Sequence, residues 1–183
     1  MKFKIHSLSL LSVFLFLFQS CSPIESVDPA TQLPNKWKLY QYVVETSEKS
    51  YAITTAQGKS IDISNFVIDT DLLTFNTDGT LEYNQSGNTK KGTWTLAADK
   101  KSLKMTDANK NQYSSTIISI TKSYITFGSI KVDPRKRSSQ YTREESDIYY
   151  ECKYGLYNID IYEESYNTAT FIQLGVQFSL VNK

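Results

Sequence analysis

Apolar and polar residues alternate with a period of two through most of the chain, the signature of strands with one buried face. Lys36 to Val44 opens the series with Trp37, Leu39 and Val43 on one side. Tyr51 to Ile63 is less regular, and Phe66-Val67-Ile68 and Leu72 to Phe75 follow. Asn76-Thr77-Asp78-Gly79 is a hairpin signal, because glycine takes positive φ at little cost. Thr80 to Tyr83, Gly92 to Leu96, Ser102 to Thr106, Tyr113 to Ile120 and Tyr124 to Phe127 continue the pattern, with turn residues between them. The final run, Ile172 to Leu180, alternates most cleanly and is expected to pair back to the first strand. Strands about 8–12 residues apart with tight turns predict an up-and-down meander. Closing it would hide its edges. The expected fold is therefore all-β: a single antiparallel up-and-down β-barrel spanning residues 36–183.

Two stretches depart from this regularity. From about 130 to 168 lies a Tyr-rich insertion before the last strand. Alternation within it puts Ile148, Tyr150, Cys152, Tyr154 and Leu156 on one face of a strand, and Tyr157, Ile159 and Ile161 carry the pattern on. The other departure is the N-terminus. Lys2 and Lys4 precede an apolar run from Leu8 to Phe18 that stops at Ser20-Cys21. A basic start and a short apolar run form a signal peptide, too short for the roughly 20 residues of a spanning helix. The box Phe18-Gln19-Ser20-Cys21 resembles a bacterial lipoprotein signal, in which cleavage precedes a cysteine that is then acylated. That resemblance implies removal of residues 1–20 and lipidation of Cys21. Two or more acyl chains hold a protein durably to a membrane. Residues 21–35, with Pro23, Pro29 and Pro34, read as an extended tether. The implied location is the cell envelope, anchored to the outer membrane and facing the periplasm or the exterior. The plainer alternative is an ordinary secretory signal with Cys21 an incidental thiol.

Charge and residue content narrow the function. Lys and Arg number 20 against 19 Asp and Glu, without the basic excess of a nucleic-acid binder. The single histidine, His6, lies in the signal. The exported part thus has no histidine for Ser-His-Asp or Cys-His catalysis or for histidine-ligated zinc. With Cys21 acylated, Cys152 is the remaining thiol and reads as a small buried hydrophobe. The expectation is a non-enzymatic protein that needs no cofactor or metal.

Four segments, in order, carry a family resemblance: Lys36-Trp37-Lys38-Leu39, Leu73 to Thr80, Lys91 to Leu96, and Leu103 to Thr106. Together they resemble the lipocalin-like domains of bacterial lipoproteins. The resemblance runs over roughly Asn35 to Phe127 plus the last strand. It implies a small antiparallel barrel behind a lipoprotein signal, binding a small apolar or amphipathic ligand inside. Asn35 stands where lipocalins carry glycine before the tryptophan, and the insertion exceeds the usual compact domain.

Candidate contact residues follow. Trp37 and Trp94 could line a cavity, though large rings also plug the ends of small barrels. Seven of the thirteen tyrosines fall between Tyr141 and Tyr166. Flat, half-polar rings stack on sugars or partner surfaces at low entropy cost. If Tyr150, Tyr154 and Tyr157 point inward on added strands, Tyr149, Tyr162 and Tyr166 are left for contact. The candidate ligand or partner residues are therefore Trp94, Tyr149, Tyr162 and Tyr166, and the alternative function is a glycan- or protein-interaction module. Glu144-Glu145 and Glu163-Glu164 read as solvated charge rather than a glycosidase pair, because strand neighbours face opposite ways. The basic residues Lys131, Arg135, Lys136 and Arg137 read as a solvated loop.

Overall fold

A computed structural model describes residues 27–53, 70–85 and 87–181. The expected signal over residues 1–20, Cys21 and Phe66-Val67-Ile68 lie outside the described residues, as does most of Tyr51 to Ile63. Nine strands follow one another: β1 (Lys36–Thr46), β2 (Ser50–Ile53), β3 (Leu72–Phe75), β4 (Thr80–Gln85), β5 (Asn88–Leu96), β6 (Ser102–Thr106), β7 (Gln112–Ile120), β8 (Tyr124–Gly128) and β9 (Ile172–Leu180). Every neighbouring pair is antiparallel, and β3 to β9 pair in sequence order. The fold is a β-rich antiparallel sheet, as the alternation predicts.

β1 closes the sheet on itself. One of its edges pairs with β9 from Trp37↔Leu180 to Thr46↔Ile172, with a bulge between Leu39 and Gln41. Its other edge pairs first with β3 through Lys36 to Lys38, then with β2 through Tyr42 to Glu45. The result is a ring of hydrogen bonds, with β2 branching from it. The turn between β3 and β4 is the expected hairpin: Gly79 sits at φ +84°, and Asp78 accepts hydrogen bonds from the Thr80 N–H and hydroxyl.

The inner face of the ring is filled. Trp37, Leu73, Phe75, Leu81, Leu103, Met105, Ile125, Phe127 and Phe178 are all buried. Phe127 lies 6.2 Å from Phe75 and 6.0 Å from Phe178, centroid to centroid. At the Lys36 end of β1, helix α1 (Pro29–Gln32) is capped by the Asp28 carboxylate and leads to the buried Leu33, whose carbonyl accepts from the Trp37 indole. Trp37 thus plugs this end.

At the other end of β1 the structure corrects the sequence reading. Residues 143–157 form no strand. They form helix α2 (Arg143–Tyr157), packed against β9, β1 and β2. Thr142 caps it: its hydroxyl accepts from the Glu145 N–H, and the Glu145 carboxylate accepts from the Thr142 N–H. Glu144 and Glu145 in the first turn also suit the positive end of the helix dipole. Ile148, Tyr149, Cys152, Gly155 and Leu156 are the buried stripe. Ile148, Cys152 and Leu156 are four residues apart, so they share a face in a strand and in a helix alike. Gly155 lets α2 come close to β2, since a Cβ there would lie 2.3 Å from Ile53 Cδ1. The expected strand pattern at Tyr157, Ile159 and Ile161 is likewise replaced, by the helix end and the turn after it.

Candidate functional site

Helical geometry reverses the expected orientation of the tyrosines. Tyr149 and Tyr166, expected to be exposed, are buried, at 8% and 2% of full exposure. Tyr150, Tyr154 and Tyr157, expected to point inward, are exposed at 42%, 62% and 62%. Only Tyr162 among the three chosen tyrosines is exposed, at 52%. Missing these residues traces to the wrong period. The usable signal was Thr142-x-x-Glu145, a capping box just ahead of the tyrosines.

The exposed rings are gathered by the way α2 ends. The Asn158 N–H bonds the Tyr154 carbonyl, and Asp160 at φ +59° turns the chain. The Ile161 N–H then returns to the Leu156 carbonyl at 3.0 Å. This brings Tyr162 back against the helix, its ring 5.8 Å from that of Tyr157 and nearly perpendicular to it. A short 3₁₀ turn (Glu163–Ser165) follows. The half-open cleft has a volume of about 500 Å³ and is lined by Tyr154, Tyr157, Ile161 and Tyr162, with Tyr166, Asn158, Lys153 and Glu163 completing it.

Two of these lining groups are charged, and they bind each other. The Lys153 ammonium donates to Glu163 Oε2 at 2.7 Å, and the buried Tyr149 hydroxyl donates to Glu163 Oε1 at 3.3 Å. The bond from Lys153, above all, holds the Glu163 carboxyl below the usual carboxylate range. Burial raises the Tyr149 phenol to about 12, with the Glu163 charge adding to it. Tyr149 also stacks on Tyr141 at 5.1 Å. It is a support beneath the cleft rather than a contact surface.

Trp94 lies elsewhere. Its ring is half-buried against Phe75 at 5.4 Å, and its indole donates to the Asn76 carbonyl at 3.0 Å. It borders a separate recess of about 360 Å³ together with Lys104, Met105, Gln112 and Tyr113. The structure thus does not bring Trp94 together with the tyrosines. Cys152 is fully buried, and burial pushes its thiol up, so it is unreactive.

The other charged residues have local roles. Glu145 bonds Lys136 as well as the helix cap. Arg135 chelates Asp133, whose carboxyl is held down to about 2 chiefly by that bond. The Lys131 ammonium sits 4.0 Å over the Phe171 ring. Among the described residues, no cluster of three or more His, Cys, Asp or Glu side chains could hold a metal ion, and no helix is long and apolar enough to cross a membrane.

No family model matches the chain, and no match to a curated protein was found. Among solved structures, a DUF4847 family protein from Bacteroides vulgatus is similar at 9% identity, over 83% of this chain and 96% of that one. The TM-score is 0.39, and a likeness so distant carries no functional argument.

Proposed function

We propose that the chain is a lipid-anchored, non-enzymatic envelope protein whose lipocalin-like barrel carries a small amphipathic ligand in the tyrosine-lined cleft of its insertion. The observation behind this reading is the grouping of three exposed tyrosines into one concavity. Its volume falls within the roughly 300–1,000 Å³ of small-molecule sites. The ring interior is the site that a lipocalin resemblance implies. It is a poorer choice here, because Trp37, Phe75, Phe127 and Phe178 occupy it. Large flat rings kept in water by choice of helix face suggest contact with something outside the chain.

The proposed anchor is compatible with the same reading. Asp28, where the described chain begins to fold, pairs with Lys100 in the β5–β6 turn, beside the Lys36 end of β1. The cleft sits on α2, which packs at the opposite end. A chain tethered through Cys21 would then present its cleft away from the membrane.

Two measurements test this. Mass spectrometry of the N-terminal peptide should find Cys21 diacylated or triacylated, and Cys21→Ala should release the protein from membranes. An unmodified Cys21 overturns the anchor. Nile red, a neutral dye whose flat aromatic frame carries a carbonyl acceptor, should brighten on binding the full chain and lose that response in the variant carrying Tyr154→Ala, Tyr157→Ala and Tyr162→Ala. A response that survives all three substitutions places the binding surface elsewhere.

A further inference from the structure

We infer that the ligand class of this cleft is a neutral saccharide. The inference rests on the cleft reading above and narrows it by three features. The first is shape. Tyr157 and Tyr162 meet at 80°, so they form a corner rather than a flat patch. A pyranose ring has a C–H face that packs on an aromatic plane and an equatorial hydroxyl rim that meets a wall. A corner of two phenol rings offers both, with each phenol oxygen available to donate or accept at the rim.

The second feature is charge. Lys153 and Glu163 neutralise each other at 2.7 Å, so the lining offers no uncompensated charge to an ionic ligand. An acidic sugar or a phosphate would have to break that pair, losing a charge-assisted bond to gain one. A neutral hydroxyl compound can use the pair intact, donating to the free lone pairs of Glu163 and accepting from the remaining Lys153 protons.

The third feature is polarity. A purely apolar ligand, such as a fatty acyl chain, would strip water from the Asn158 amide and from the remaining Lys153 protons and Glu163 lone pairs without replacing it, which is costly. A polyhydroxyl ligand satisfies them. Half-buried Ile161 in the lining adds apolar contact for the sugar face. The cleft volume of about 500 Å³ accommodates one or two sugar rings rather than a long chain.

The test uses the purified full chain on an array of neutral and acidic oligosaccharides, followed by calorimetry and ring-proton NMR with the binders. Neutral oligosaccharides should bind and shift the Tyr154, Tyr157 and Tyr162 ring signals. Each of Tyr154→Ala, Tyr157→Ala and Tyr162→Ala should weaken binding about tenfold, the scale of one lost ring contact. Because all three rings are on the surface, circular dichroism and the melting temperature should stay as in the parent. Tyr→Phe at each position should retain the stacking part and lose less than Tyr→Ala. Binding confined to acidic sugars overturns the inference, as does neutral-sugar binding that ignores these tyrosines. If Nile red needs the three tyrosines while no neutral saccharide on the array binds, the saccharide class falls and the cleft reading stands. If neither probe needs them, both fall.

Discussion

The ring of strands and the segment joining β8 to β9 draw on the same residue types, yet they obey different periods. In β3 to β6 of the ring, inward residues alternate with outward ones, so Leu103 and Met105 are buried while Lys104 is exposed. In the segment, Ile148 and Tyr149 are buried side by side and Tyr150 is exposed. The ring is held by long-range pairing that a local sequence cannot choose alone. The segment is held by a cap and one packed stripe. The contrast explains their division of labour: the ring buries Trp37, Phe75, Phe127 and Phe178 to make a scaffold, whereas the helix leaves Tyr150, Tyr154 and Tyr157 outside.

The largest effect should come from the ring. Trp37 is fully buried, with its indole bonded to the Leu33 carbonyl. Trp37→Ala removes that bond and leaves a large void, at a cost of about 3–5 kcal/mol. Urea denaturation followed by Trp94 fluorescence should show a lower midpoint, and far-ultraviolet dichroism should lose helix and strand together. A helix signal that persists after the ring unfolds would show that α2 stands without the scaffold.

A smaller and more local effect is expected at Thr142. Thr142→Ala deletes the hydroxyl that accepts from the Glu145 N–H, a loss of about 1 kcal/mol. Hydrogen exchange should quicken several-fold at the α2 amides and stay unchanged in β6 and β7. Equal acceleration in both regions would mean that ring and helix open as one unit, and the contrast between them would fail.

These two sites also mark what could be read from the sequence. The ring was legible because its strands alternate apolar and polar residues in sequence, even in β9, which is buried on both faces over Ile172 to Val176, and because turn chemistry at Gly79 agreed with it. Closure through β9 onto β1 followed from the need to hide edges. The helix was not legible from alternation. Ile148, Cys152 and Leu156 fit both periods, and the tyrosines between them have good strand propensity. What decided the matter was the cap at Thr142 and Glu145, a two-residue signal, together with space for Gly155 against Ile53, which only the folded chain reveals. Within the candidate site, Tyr162 was legible. Tyr154 and Tyr157 were misplaced by the same error of period, and Ile161 belongs to the cleft only because Asp160 turns the chain.

The smallest effect concerns acid. Glu163 has its carboxyl lowered, chiefly by Lys153, relative to an unfolded value of about 4.3. A depressed acid contributes stability above the unfolded value and loses it as pH falls through the folded one. The Lys153–Glu163 pair is nearly half exposed, so solvent screening limits its share to at most about 0.5 kcal/mol. Asp107, in the ring, is also lowered. Burial pushes it up, but hydrogen bonds from Asn111, Asn109 and Tyr113 outweigh that effect. Below about pH 4, protection factors, which are corrected for the slower intrinsic exchange in acid, should therefore fall in both regions. Glu163→Gln should flatten the pH dependence at the C-terminal amides of α2 while leaving the acid response of the β6–β7 turn as it was. Protonation also frees the Lys153 charge, so neutral-ligand binding at the cleft should weaken over the same range and become pH-independent in the variant. An acid response in α2 that Glu163→Gln does not alter would remove Lys153–Glu163 as the link between helix end and cleft.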